Sequence, residues 1–225
     1  MKKKECSARA MNAAMAVILC CATMLTACST VWMNEAEQIV AVLIPAATNI
    51  IALVAAVQGN DVSAQDLQAV QNAGTQAGAD LQLIQSLISQ YESAGATAKP
   101  GLLSQIQTAI TAVQANLNGI LPALHIKDAA TQGKVAAIVG MALSEVESLA
   151  AIVPLVNSNA TPQMMAMSVQ QAKNRVPLSA GDFVASYNAT MGAKTGNAEL
   201  DRAACGLRIH LHGKLVRWAS VGMLK

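Results

Sequence analysis

Aromatic side chains are scarce in this chain: Trp32, Tyr91, Phe183, Tyr187 and Trp218 are all that 225 residues supply. Surfaces that stack sugars or unpaired bases use aromatic platforms, so carbohydrate stacking and nucleic-acid binding both lose ground. Histidine is scarcer, at three residues. Beyond residue 28 the one cysteine is Cys205, so there is no internal disulfide framework and stability must come from packing. A lone thiol of this kind is read as a small buried apolar residue. Also missing are the CxxCH of haem attachment, a phosphate loop, a G-x-S-x-G elbow and a credible catalytic triad. Di-iron bundles need a Glu-x-x-His motif with further inward carboxylates, and none occurs. Glu145 and Glu147 are two apart, so they diverge on a helix. The expectation is a protein that is not an enzyme and holds no cofactor.

Charge is sparse and unevenly placed. Residues 28–172 hold nine acids and three bases, a balance of −6, whereas residues 173–225 hold three acids and eight bases, a balance of +5. That asymmetry marks a separate basic C-terminal segment, suited to an acidic body or an anionic lipid surface.

What the chain has is Ala, Leu, Ile, Val and Gln, arranged with a three-four period. Leu67, Val70, Gly74, Ala77, Leu81, Ile84, Ile88 and Tyr91 make one stripe. Leu103, Ile106, Ile110, Val113, Leu117, Ile120 and Leu124 make another. Val135, Val139, Ala142, Val146, Leu149 and Val153 make a third, and Ile39, Leu43, Ala46, Ile50, Leu53 and Val57 precede them all. Such spacing puts one apolar stripe on an α-helix, whereas strands need a period of two. The punctuation agrees. GND at 59–61 breaks the first helix, Ser63 with Asp66 resembles a capping box, and SAGATAKPG at 93–101 is a turn. Pro122 sits at the end of the third helix, Asp128 opens the fourth, and Pro154 closes it. Short loops imply antiparallel neighbours. Residues 39–57 are apolar nearly all round and just long enough to span a membrane. Burial is preferred, because Asn49 sits mid-span and three partner stripes stand ready to cover the helix.

The N-terminus supplies an address. MKKKECSAR is a cationic start, and an apolar stretch follows to about Leu25, the order of a secretory signal. Leu25, Thr26, Ala27 and Cys28 then give an aliphatic residue, two small residues and a cysteine. This resembles the lipobox of bacterial lipoproteins. The resemblance implies that Leu25, Thr26 and Ala27 are read by the signal peptidase. It also implies that the Cys28 thiol receives a diacylglycerol, that cleavage falls before Cys28, and that the new amine is acylated, palmitate being a typical chain. Cys20 and Cys21 fit less well, because Leu19 and Cys20 precede them where a small residue is expected. Ser29, rather than Asp, leans towards the periplasmic face of the outer membrane. Two or three acyl chains at about 0.8 kcal/mol per buried CH₂ hold a protein firmly on a membrane.

After the fourth helix comes a linker at 157–177 containing Pro162 and a Met-rich MMAM, read as gap-filling. Ser179 and Asp182 resemble a further capping box opening a short helix through Tyr187. GAKTGN at 192–197 is a turn, and Asn197 caps a last helix carrying Leu200, Ala204, Leu207, Leu211, Leu215 and Trp218. Within it, HLH at 210–212 admits two readings. On a strand His210 and His212 share a face and are weak candidates for a metal site; on a helix they diverge. The longer stripe favours the helix. Arg208, Lys214 and Arg217 are then a basic face for anionic surfaces. NAT at 159–161 and 188–190 matches glycosylation sequons by coincidence.

The sequence is therefore read as an all-α chain, in four parts. They are a lipoprotein signal peptide over 1–27, an antiparallel up-and-down four-helix bundle over 28–156, the linker, and a basic helical appendage over 178–225. The expected role is structural or protein-interacting, at the cell envelope, with a membrane reached through the lipid on Cys28 and another envelope protein as partner. An apolar-ligand module with a cavity lined by residues such as Leu81, Ile106 and Val139 is one alternative. A membrane-inserting protein using the 39–57 helix is the other.

Overall fold

The computed structural model describes residues 32–58, 62–153 and 179–210, and every regular element among them is an α-helix. We number them α1 (Trp32–Ala55), α2 (Ala64–Ser93), α3 (Lys99–Ala123), α4 (Ala129–Ile152), α5 (Ala180–Gly192) and α6 (Ala198–Gly206). The fold is an all-α helical bundle. The three-four stripes are the buried faces. In α2 the fully buried side chains include Val70, Ala77, Leu81, Ile84 and Ile88, and in α3 Ile106, Val113 and Ile120. In α4 they include Ile138, Val139, Val146 and Leu149.

The helix starts follow the capping chemistry of the sequence. Ser63 Oγ accepts the Asp66 N–H (3.1 Å), and an Asp128 carboxylate oxygen accepts the Thr131 N–H (2.7 Å). Ser179 and Asp182 form a reciprocal capping box, and Asn197 accepts from Glu199 and Leu200. Each cap stabilises its helix by about 1 kcal/mol by satisfying orphan N–H groups. Two prolines lie inside helices, each four residues after an exposed position whose carbonyl loses its helical donor. Pro122 lies in the last turn of α3 beside exposed Asn118, and Pro45 in α1 lies opposite exposed Ala41.

Named contacts set the directions. Trp32 of α1 meets Tyr91 at the end of α2, and Ile51 of α1 meets Gly74 in the first half of α2, so the two helices run antiparallel. Asn116 of α3 donates to Asp80 of α2 (3.0 Å), and Lys99 lies over the Tyr91 ring (4.8 Å), which makes α2 and α3 antiparallel as well. At Gly74 a Cβ would fall 2.7 Å from Ile51 Cγ1, so the missing side chain is what lets α1 come this close.

Two elements differ from expectation. The first helix extends past Ile39 back to Trp32, because Trp32, Met33 and Ala36 continue its stripe and are buried. The last helix stops at Gly206 instead of running to Trp218. Asn49 donates to the Leu207 carbonyl (2.7 Å), and Asn188 exchanges two hydrogen bonds with the Ile209 backbone. These side-chain amides offer the backbone a partner other than the next helical turn, which is how such residues end helices.

The C-terminal helices share the core of the bundle. Phe183, Tyr187, Met191, Leu200 and Ala204 are buried within the same apolar cluster as α1–α4. α5 runs antiparallel to α4, with Lys134 facing Met191 and Met141 facing Thr190. It also reaches α1, where Asn49 neighbours the Tyr187 hydroxyl.

Candidate functional site

α4 carries an unusual burden for a core helix. Thr131, Lys134, Glu145 and Ser148 are all buried. Burying a polar group without a partner costs free energy, so each must be accounted for. Ser148 donates to the Ser144 carbonyl (3.0 Å). Lys134 donates to the Met191 carbonyl (3.2 Å) and approaches Asp201 (3.5 Å). Asp201 is held below its ordinary value chiefly by the Thr195 backbone N–H, with help from the Thr195 hydroxyl and Lys134. Lys134, Met191 and Asp201 thus make a polar clasp at this end of the α4–α5 seam, while the buried Thr131 hydroxyl one turn earlier on α4 has no partner.

The other end is not satisfied. Glu145 is 0% exposed, and neither carboxylate oxygen has a hydrogen-bond partner. Burial is the main force on it, and Asp182 of α5 and Glu35 of α1 add like-charge repulsion; together they push its carboxyl up to about 7. On α5 the Tyr187 hydroxyl is also buried, with Asn49 as its polar neighbour, and burial raises it above its ordinary value. The Asn49 amide nitrogen donates to the Leu207 carbonyl. The α1–α4–α5 junction therefore has an acid whose charged form is disfavoured by burial and by its acidic neighbours.

Sequence reasoning placed Glu145 and Glu147 on diverging directions, and the structure agrees: Glu147 is exposed and Glu145 is not. It did not single out Glu145. The available signal was position, since Glu145 lies between Ala142 and Leu149 on the inward stripe of α4.

The other candidates scatter. Leu25, Thr26, Ala27 and Cys28 lie outside the described residues, as do His212, Lys214 and Arg217 and the 157–177 linker. His210 is exposed at the last described position. Among the described residues no group of three or more His, Cys, Asp or Glu side chains is placed to hold a metal ion. Arg208 folds back on α5: a Cβ on Gly192 would lie 2.7 Å from its Nη2. A guanidinium there complements the carbonyl end of the helix dipole. Asn188, of the second NAT, is held by Ile209. Cys205 corrects the expectation outright, because it is exposed. It falls on the outer side of α6, whose inward positions are Leu200 and Ala204.

No protein-family model, curated protein or solved structure matches this chain. Two surface depressions are open and polar. One is lined by Gln82, Gln85, Ser86 and Ser89 on α2, and the other by Asn34, Glu37, Gln38 and Ala41 of α1 with Gln85 and Ser89. Leu81, Ile106 and Val139 are fully buried within the continuous core, away from both.

Proposed function

We propose that this chain is a lipid-anchored cell-envelope protein, tethered through Cys28, whose helical body serves a structural or protein-interaction role without catalysis. The observation that carries the reading is the sequence Leu25-Thr26-Ala27-Cys28 closing a basic and then apolar N-terminus. Ser29 favours the periplasmic face of the outer membrane. The body that follows supports a non-catalytic role. Lys134 and Ser148 are engaged in helix packing, and the two open grooves are lined by amide and hydroxyl groups and by Glu37. α1 and α4 are each long and apolar enough to cross a membrane by length and composition. In α1, however, the exposed positions are Asn34, Glu37, Gln38, Ala41, Thr48 and Ala55, which suits a water-facing surface better than lipid. The partner on this reading is another envelope protein, meeting the amide- and hydroxyl-rich face of α1 and α2 that also carries Glu37.

The test is metabolic labelling with a fatty acid in a bacterial host, followed by membrane fractionation. Wild type takes up label and sediments with membranes; Cys28→Ser takes up none and is released. Equal labelling of both proteins overturns the anchor.

A further inference from the structure

The buried acid on α4 stands where the short helix α5 covers the bundle. Glu145 is fully shielded from water, and both of its oxygens lack a donor. Among the described residues, the charged groups that act on it are acids, Asp182 from α5 and Glu35 from α1. Lys134, also on α4, is committed to Met191 and Asp201, and Lys99, the one charged residue of α3, lies over the Tyr91 ring. On α4 itself Glu147 faces outward, and the Ser148 hydroxyl is taken by Ser144. A carboxylate in such a place must either stay neutral or reach water.

We propose that α5 is a proton-latched cover: it seats on α1 and α4 while Glu145 is neutral and lifts when Glu145 is charged.

The geometry selects α5 as the element that moves. It has 13 residues, whereas α2, α3 and α4 have 30, 25 and 24. It brings one of the two repelling acids, Asp182, so its departure removes repulsion and admits water in one step. Its hold on the body rests on apolar side chains, chiefly Phe183, Tyr187 and Met191, and at its far end on the Lys134 hydrogen bond to the Met191 carbonyl. Lifting it uncovers the inward faces of α1 and α4, the two helices apolar enough to enter a membrane or to seat an apolar partner helix. The proton therefore controls access to the greasiest surface of the molecule. The opening follows from linkage. The seated form holds the proton of Glu145 up to about 7, whereas a water-exposed glutamate loses it near 4.5. Raising the pH from about 6 to about 8 then favours the lifted form by about tenfold.

Hydrogen exchange of the full-length protein in detergent, read by mass spectrometry and corrected for the intrinsic pH dependence of exchange, tests this. α2 peptides serve as the internal reference. In wild type, protection of the 180–192 peptides falls about tenfold between those two pH values while α2 holds. In Glu145→Gln the 180–192 peptides stay protected at both. Asp182→Asn, which leaves Glu145 in place, shows a smaller fall than wild type. Equal α5 protection in wild type at both pH values overturns the proposal. So does a tenfold fall that persists in Glu145→Gln, or one that Asp182→Asn leaves unreduced.

Discussion

Asn188 holds Ile209 by both of its backbone groups: its amide nitrogen donates to the Ile209 carbonyl at 2.8 Å, and its amide oxygen accepts the Ile209 N–H at 2.9 Å. One side chain on α5 thereby replaces the hydrogen bonds that a continued helix would have made. The arrangement pulls Ile209 into the core, where it is 6% exposed.

Asn188→Ala should therefore cost more than an exposed asparagine would. Two partly buried backbone groups lose their partners, a loss of about 1–3 kcal/mol. Asn188→Asp keeps the acceptor and loses the donor, so it should fall between the two. Thermal or urea unfolding measures both. The same bond leaves no room for glycan attachment at this NAT, and the mature mass should show none.

Gly74 predicts a size-dependent response. A Cβ there meets the outer atoms of Ile51 at 2.7 and 2.8 Å. Gly74→Ala gains about 1 kcal/mol of helix propensity, and Ile51 can yield by turning, so the net change should be small. Gly74→Val cannot be accommodated that way, and should destabilise by about 1–3 kcal/mol through overpacking of the α1–α2 contact. Urea midpoints of the two variants separate the effects.

Stability should peak on the acid side of neutrality. Glu145 has a folded value of about 7 against an ordinary 4.5, so its contribution is intact below about 4.5 and is lost as pH rises through about 7. The full loss is about 3 kcal/mol. The opposite limb comes from Asp66, Asp128 and Asp201, all lowered from 3.8 by hydrogen bonds, chiefly from His125, Thr131 and Thr195 respectively. Their contribution is present above 3.8 and disappears as pH falls through their folded values. Melting temperature against pH should therefore be highest near pH 5, to about one unit. Glu145→Gln should flatten the alkaline limb and leave the acid limb alone.

Much of this fold was legible in the sequence because its interior is written in one period. Ser63, Asp128, Ser179 and Asn197 each cap the helix expected of them, since capping depends on a residue and its next three neighbours. What was not legible depends on residues far apart. The stop at Gly206 is made by Asn49 and Asn188, one of them 158 positions from its partner Leu207. Glu145 reads as an ordinary helix-forming residue until α5 is laid across it. The sparse aromatics follow the same logic. Phe183 and Tyr187, four apart on one helix, meet at 5.7 Å as helical spacing dictates, but nothing local pairs Trp32 with Tyr91 (5.3 Å).

Cys205 gives the last prediction, and it turns on which side of α6 faces inward. Asn197 starts this helix, and Leu200 and Ala204 are its buried residues. Cys205 follows Ala204 by one position, about 100° further round the helix, and it stands in solvent. It should react with a maleimide in the native protein at a rate close to that in urea. Were it part of the core, modification would wait for unfolding. Cys205→Ser should leave the unfolding free energy within about 0.5 kcal/mol of wild type, as surface substitutions generally do. Ala204→Ser, one position away on the buried side, should cost measurably more, because its hydroxyl would enter the apolar contact with α5. Slow labelling of Cys205, together with an unfolding change as large as that of Ala204→Ser, would mean that α6 is turned about its axis from the packing described.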